Sequence, residues 1–438
     1  MPQPPKKGGK TLKLLALIIF IAVYVSLLAL PKGRALAALA GALAFVLLGI
    51  VPPAAVPAAV DWNVLMMLAG TMGTVDLFIR SNMPTRLSDR LVSALPNVKW
   101  LIVVLALFAG LVSAFVDNVA TVLMLAPVGI AIAKRLEISP VAPVLAIAVS
   151  SNLQGAATLV GDTTSILLAR HMGLDFADFF FYRGRPGMFW VVEVGALATV
   201  PVMMWLFRKE KGTIQSSRLT PVEDHLPTVL LVGTVLALIV ASFFPNKHPL
   251  TNGFICMAFF LAGLAAECVI SHRAPSRSMR ETLETLQAID YETLLLLAGL
   301  FIVIDGVERV GIVRDISAFF SRLGGGSVFR TYTIIVWASV LLSAFIDNIP
   351  YTAAMLPVVG GVASAMGADQ AVLCFGLLVG ATLGGNLTPV GASANIAAAG
   401  ILRREGYEVT PRQFMRIGVP FTLAAVLTGY VLVWVFYA

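Results

Sequence analysis

Apolar blocks about as long as a bilayer is thick recur along the whole chain, and this feature limits the possible fold more than any other. Leu12–Leu30, Leu226–Phe244 and Ile417–Phe436 are each long enough to cross ~30 Å of hydrocarbon as a helix. Charged residues make up only 13% of the chain, against about 25% in an ordinary soluble domain. We therefore expect an all-α polytopic membrane protein, multi-pass in the cell inner (plasma) membrane, with the lipid bilayer as its solvent.

The rest of the composition argues against several classes of function. The net charge is +7, but Lys and Arg lie in short loops between apolar blocks, which is typical of topology signals and not of a nucleic-acid-binding face. The three cysteines are scattered without CxxC spacing, and no nucleophile–base pair or metal-ligand set appears. We expect no nucleic-acid partner, no enzyme activity, no cofactor and no metal site. The basic start followed by an apolar run is interpreted as a retained first helix.

Three pairs of segments repeat at an offset of about 230 residues. Their order and spacing are the same in both copies, which chance similarity between apolar helices does not preserve. We infer two homologous halves. The paired segments are Asp61–Asp76 with Asp290–Asp305, Ser113–Val128 with Ser343–Val358, and Ser151–Ile166 with Ala381–Ile396.

The fourth apolar block of each half is too long for one crossing and has a polar break, Asp117-Asn118 or Asp347-Asn348. This predicts a re-entrant hairpin, because non-helical backbone at membrane depth must be surrounded by protein or a water-filled cavity. Each half is expected to have five transmembrane helices plus one re-entrant helical hairpin and a broken helix, and the odd number of crossings makes the two repeats inverted. The predicted units are a first repeat at 1–207 (hairpin about 100–133, broken helix about 141–169), a cytoplasmic linker at 208–225, and a second repeat at 226–438 (hairpin about 331–366, broken helix about 371–401).

Positive charge sets the predicted orientation. One set of loops holds 19 of the 31 Lys and Arg residues, and the positive-inside rule places that set in the cytoplasm with both termini outside. The basic N-terminal tail argues for the opposite orientation. The predicted cytoplasmic loops are 31–34, 80–99, 134–137, 208–225, 271–290 and 402–416.

Asp117 and Asp347 lie in the middle of long apolar stretches, where a charge costs at least ~2.5 kcal/mol and usually serves a transport path. Each is followed by Asn and then by a hydroxyl residue, Thr121 or Thr352. The returning half-helix would offer free N–H groups to a polar or anionic solute, and the carboxylate would supply a cation or proton site. Because Asp and Asn are also excellent helix N-caps, buried caps without a substrate are the alternative.

Glycine-rich breaks interrupt the next apolar block in both halves, at 155–164 and 384–395. Paired interruptions point to a transporter's binding site, although close packing through small residues also explains the glycines. The first break is acidic at Asp162 where the second has Ala392, which suits one cation or proton beside one polar substrate. The predicted substrate- and ion-binding residues are Asp117, Asn118, Thr121, Asn152, Thr158, Gly161, Asp162, Thr163, Asp347, Asn348, Thr352, Asn386, Thr388, Gly391, Ser393 and Asn395.

Nearly the whole chain resembles the ion transporter superfamily, and within it the arsenical-pump and sodium/proton antiporter permeases (ArsB/NhaD type). The resemblance is most specific in SAFVDNVATVLMLAPV, AATLVGDTTSILL, SAFIDNIPYTAAMLPV and GGNLTPVGASANIAAAG. It implies an elevator-type transporter with a scaffold domain, a moving transport domain, and a site between the two hairpins and the two broken helices.

Related dicarboxylate and citrate carriers have Ser-Asn-Thr at the hairpin tips, where this chain has Asp117-Asn118-Val119 and Asp347-Asn348-Ile349. The Ser hydroxyl is replaced by a negative charge and the Thr by an apolar side chain, and both changes disfavour binding of a multiply charged carboxylate. The resemblance therefore implies export of arsenite or antimonite, mostly undissociated hydroxides at neutral pH, in exchange for protons. Sodium/proton antiport is the second alternative, carriage of a carboxylate or other anion the third, and a transport-inactive receptor would leave the acids at both tips unexplained. The sequence leaves open a soluble ATPase subunit and a homodimer.

Overall fold

The computed structural model describes residues 9–30, 33–93, 97–208, 220–222, 224–244, 246–273 and 284–438. The N-terminal residues 1–8 and most of the predicted linker at 208–225 lie outside this described part. The first half contains α1 Gly9–Ala29, α2 Arg34–Leu47, α3 Val56–Ala59, α4 Trp62–Arg80, α5 Met83–Ser93, α6 Val98–Ser113, α7 Asn118–Arg135, α8 Val141–Gln154, α9 Thr163–Met172 and α10 Met188–Leu206. The second half contains α11 Leu226–Ser242, α12 Thr251–Arg273, α13 Tyr291–Arg309, α14 Ile312–Leu323, α15 Val328–Ser343, α16 Asn348–Met366, α17 Gln370–Gly384, α18 Ser393–Arg404 and α19 Pro411–Tyr437.

Helices account for nearly all of the regular structure, which confirms the all-α polytopic class. In the described part of the chain, 7 helices are long and apolar enough to cross a membrane, or 8 if α14 and α15, bent by 115° at their junction, form one broken span. The apolar block at 35–51 is the second block of the first half, and its length predicts a crossing. It contains a helix of only 14 residues, α2, which at 1.5 Å per residue spans about 21 Å. A two-residue antiparallel ribbon pairs β1 Phe181–Tyr182 with β2 Arg185–Pro186 before α10.

The two halves present the same elements in the same order. A long helix (α4 or α13) is followed by a shorter helix (α5 or α14), a helical hairpin, a broken helix and a last long helix. Both long helices begin with the same cap: Asp61 Oδ1 accepts from Val64 N at 3.1 Å, and Asp290 Oδ1 accepts from Thr293 N at 3.0 Å. The repeated Asp at the start of this segment is therefore a helix N-cap in both copies.

The repeated Leu-Ala-Gly of these long helices is a packing motif between the halves. Helix α4 packs against α12, and α13 packs against α2. A Cβ on Gly70 would lie 2.4 Å from the carbonyl carbon of Cys256, and a Cβ on Gly299 would lie 2.7 Å from that of Ala38. Only glycine allows this backbone approach, which explains why it recurs at this position in both copies.

The apolar core is divided. The largest cluster contains residues of both hairpins, both broken helices, α10 and α19, with Tyr332, Phe375 and Phe421 among its fully buried side chains. Smaller clusters around Phe45 and Leu300 lie among α1, α2 and α13. The hairpins and broken helices therefore share one packed unit, and α1 and α2 lie against its side.

Candidate functional site

Both hairpins turn at the Asp that the sequence singled out. Asp117 caps α7 through Oδ1, which accepts from Val119 N at 3.0 Å and from Ala120 N at 3.1 Å. Asp347 caps α16 in the same way, with Oδ1 accepting from Ile349 N at 3.2 Å. The capping interpretation is therefore observed at both tips, but a cap uses one carboxylate oxygen and leaves the other to act elsewhere.

The helix breaks are fixed against the hairpins by repeat-related contacts. Thr158 Oγ1 donates to the carbonyl of Ala114, and Thr388 Oγ1 donates to the carbonyl of Ala344. Three residues after each of these threonines, a glycine lies against hairpin carbonyls. A Cβ on Gly391 would lie 2.7 Å from Ser343 O, and one on Gly161 would be as close to Ser113 O. These four predicted site residues hold the breaks in place and lie behind the cavity.

A chain of buried amides joins the two broken helices. Asn118 Nδ2 donates to Asn152 Oδ1 at 3.0 Å, and Asn152 Nδ2 donates to Asn386 Oδ1 at 3.2 Å and to Thr382 O at 2.9 Å. Asn386 Nδ2 returns to the first half by donating to Val149 O at 2.9 Å, while Asn395 Nδ2 donates to Gly385 O at 3.1 Å. These side chains are fully or nearly fully buried, so their polar atoms depend on each other for hydrogen bonds.

An Asn152→Ala variant is expected to unfold at a lower temperature, because it leaves the buried Nδ2 of Asn118 without its acceptor and removes one donor to Asn386 Oδ1. The cost of such stranded groups is about 1–3 kcal/mol. Thermal unfolding in detergent measures it, with Asn246→Ala, an exposed turn residue, as the matched control. Equal unfolding temperatures for the Asn152→Ala and control variants would show that this network does not stabilise the fold.

A cavity of about 410 Å³ lies between the two hairpin tips, the start of α9 and the end of α4. It brings together residues from both halves that the sequence predicted as binding residues: Asp117, Asn118, Asp162, Thr163, Asn348 and Ser393. An adjoining cavity of about 160 Å³ contains Asp347, again with Ser393. Of the other predicted residues, Thr121 and Thr352 lie within the hairpin return helices, away from both cavities; Thr352 Oγ1 is buried without a hydrogen-bond partner.

The cavity is acidic. Asp162 Oδ2 accepts from Thr164 Oγ1 at 2.9 Å and, across the halves, from Asn348 Nδ2 at 3.3 Å. Asp76 also lines it and forms an ion pair with Arg80 at 2.8 Å. Within the described ranges, no Lys or Arg forms an ion pair with Asp117 or Asp162. These two carboxylates can therefore bind a proton or a cation, or accept hydrogen bonds from a hydroxylated solute.

Several residues of this region were not predicted from the sequence. Asp290 and Thr293 line both cavities, and Arg34 lines the smaller one, where its Nη1 lies 3.0 Å from Asp347 Oδ2. The repeat paired Asp61 with Asp290 and Asp76 with Asp305, but it did not mark these acids as binding residues. Nothing in the sequence marked Arg34, because its partner is 313 residues away. Among the described residues, no group of three or more His, Cys, Asp or Glu side chains could hold a metal ion.

The known proteins and the family model that match this chain each cover most of its length. The model of one protein family, described as "Citrate transporter" (CitMHS), matches residues 15–380. An uncharacterized transporter of Mycobacterium tuberculosis is 31% identical over 97% of this chain and 99% of its own length. The P protein of Homo sapiens is 27% identical over 94% of this chain and 58% of its own length. The crystal structure of the Alcanivorax borkumensis YdaH transporter, which has "an unusual topology", shares the fold with a TM-score of 0.60 and 15% identity, over 97% of this chain and 98% of that one.

Proposed function

We propose that this chain, which belongs to the citrate transporter family, a multi-pass family within the ion transporter superfamily, is a secondary transporter. In this proposal it exports arsenite or antimonite in exchange for protons. The site of this exchange is the cavity between the hairpin tips and the broken helices. One observation carries the proposal: Asp117 and Asp162 line the same cavity, and neither has an ion-pair partner among the described residues.

The chemistry of the lining matches a small neutral hydroxide. As(OH)₃ has three O–H donors, and the carboxylates of Asp117 and Asp162 and the amide oxygens of Asn118 and Asn348 are acceptors. Recognition does not need thiols, since Cys256 and Cys374 are buried in α12 and α17 and do not line the cavity. Protons released from the carboxylates would account for coupling to a gradient.

Citrate itself fits this lining poorly. Its three negative charges would face Asp117, Asp162 and Asp290 across one cavity, and like charges at this range repel strongly in a low dielectric. The cation of the neighbouring cavity, Arg34, is already paired with Asp347. We therefore rank carriage of a carboxylate or another anion below export of a neutral hydroxide.

The fold supports an elevator mechanism for this transport. In this proposal the two halves are inverted repeats, α1, α2, α4 and α11–α13 form the scaffold, and the hairpins, broken helices, α10 and α19 move together. The separate apolar clusters among α1, α2 and α13 support a scaffold at that side, although the largest cluster also includes buried residues of α4 and α12. We place the chain in the inner (plasma) membrane, with the basic loops in the cytoplasm. A soluble ATPase subunit and a second copy of the chain stay expectations from the sequence.

Expression of the chain in cells that lack their own arsenite efflux is expected to raise resistance to arsenite and antimonite. Everted vesicles from these cells should accumulate arsenite when a proton gradient is imposed, lose this activity with an uncoupler, and keep it when sodium is removed. A variant without cysteines should transport at the same rate. Resistance that depends on sodium, or arsenite uptake equal to that of empty-vector vesicles, would contradict the proposal.

Sodium/proton antiport is a second candidate, because the same unpaired Asp117 and Asp162 would also bind Na⁺. It predicts tolerance of salt or alkali and no arsenite phenotype. In the same vesicles, a proton flux that depends on sodium and does not change when arsenite is added would favour sodium/proton antiport over arsenite export.

A further inference from the structure

The two hairpin tips carry the same acid in different electrostatic surroundings. At the second tip, Asp347 Oδ2 accepts from Ser393 Oγ at 2.9 Å and from Arg34 Nη1 at 3.0 Å, so both of its oxygens are engaged. At the first tip, Asp117 uses Oδ1 for its cap and forms no ion pair among the described residues. The two acids are therefore not equivalent, although they lie at the same position of the repeat.

Arg34 comes from outside the unit that contains the hairpin. It is the first residue of α2, whose next turns pack against α13 through Ala35 and Ala38. The pair is largely shielded from solvent, with exposed side-chain fractions of 21% for Arg34 and 5% for Asp347. Arg34 Nε is also buried and makes no hydrogen bond, so the side chain is held at this tip for its charge and not to satisfy all its donors.

Among the residues that the structure describes, no cation forms a matching pair at the first tip. Lys247 precedes α12, the counterpart of α2, but it pairs with Asp175 and not with the first tip. A guanidinium remains charged at any physiological pH. Its charge at Asp347 is therefore permanent, unlike a proton or a sodium ion that is bound and released.

We propose that Arg34 is a tethered counter-cation for Asp347. It fills the cation position of the second tip with a charge that never leaves the protein, so the exchanged cations use Asp117 and Asp162 alone. This inference rests on the proposed transport function and defines the stoichiometry of that site. Arg34 is a positioning residue here, since it acts through Asp347.

The test compares Arg34→Gln, Asp347→Asn and the double variant in proteoliposomes loaded for proton-driven arsenite transport. Each single change leaves a buried charge without its partner and should lower the transport rate at least about tenfold. The double variant removes both charges, and Asn still caps α16, so its rate should return to within about threefold of the wild type. The ratio of protons to arsenite should equal that of the wild type.

Arg309→Gln is the matched control, because Arg309 pairs with Asp305 on one exposed helix face and should transport at the wild-type rate. A double variant that is folded but inactive would overturn the proposal, because Asp347 would then itself carry an exchanged cation. A lower proton ratio in the double variant would overturn it for the same reason.

Failure of the arsenite proposal is distinguishable from failure of this one. If wild-type vesicles ignore arsenite, the same variants are compared by sodium-dependent proton flux. If the wild-type vesicles show neither arsenite transport nor sodium-dependent proton flux, thermal unfolding of the purified wild type and three variants is the test. Both single variants should unfold at a lower temperature than the wild type, and the double variant should unfold near the wild-type temperature. Additive losses in the double variant would overturn the tethered pair.

Discussion

An Asp117→Asn variant is expected to fold normally and to lose gradient-driven transport down to the level of empty vesicles. Asn caps a helix as well as Asp does, so α7 keeps its first turn. The change removes a charge that no cation balances among the described residues, so no buried partner is stranded. What is lost is the ability to bind and release a proton in the cavity, and transport measured with and without the gradient reports it directly.

Asp369→Asn is the matched control for this prediction. Asp369 caps α17 through Oδ1, which accepts from Ala371 N at 2.9 Å, and it lies outside both cavities. This variant should transport at the wild-type rate. If Asp117→Asn also keeps its coupling to the gradient, the acid at the first tip is only a cap and the proposed role of the cavity fails.

A Gly391→Ala variant is expected to lose transport and much of its stability. The added Cβ would lie 2.7 Å from Gly385 O, 2.7 Å from Ser343 O and 2.8 Å from Ala344 O. All three are backbone atoms, so the second break or the hairpin must shift as a whole, at a cost of about 3 kcal/mol. Size-exclusion profiles after heating in detergent measure the loss of stability, and vesicle transport measures the loss of function.

Gly400→Ala provides the comparison within the same broken helix. A Cβ at Gly400 meets no atom within 4 Å, and alanine favours a helix more than glycine does. This variant should be at least as stable as the wild type. Equal behaviour of the two variants would mean that the close approach of the second break to its hairpin is not required.

The sequence predicted the fold class and the positions of the polar breaks because both depend on local patterns. Apolar length sets the membrane class, and the Asp-Asn pairs at 117–118 and 347–348 begin the return helices where the repeat placed them. The α2 helix was predicted too long, since apolar residues beyond Leu47 continue into a turn. Composition alone does not separate a crossing from a shorter helix with an apolar extension.

The sequence did not separate the polar residues that line the cavity from those that lie behind it. Asn118 and Asn152 have the same side chain in similar apolar surroundings, yet Asn118 lines the cavity and Asn152 lies behind it. The difference depends on how two distant segments meet. The Arg34–Asp347 pair has the same origin, because it forms only after the first and second halves pack together.

The cross-half amide bonds also constrain how the chain is made. Asn152 donates to Thr382, a partner 230 residues later, and Asn386 donates back to Val149. During insertion, the buried Nδ2 group of Asn152 therefore lacks its acceptors on Thr382 and Asn386 until the last third of the protein has been synthesised. A product truncated after α10 would leave this amide group unsatisfied within the membrane, at a cost of several kcal/mol. We expect membrane proteases to degrade such a fragment. Two half-length chains should fold only when they are synthesised together.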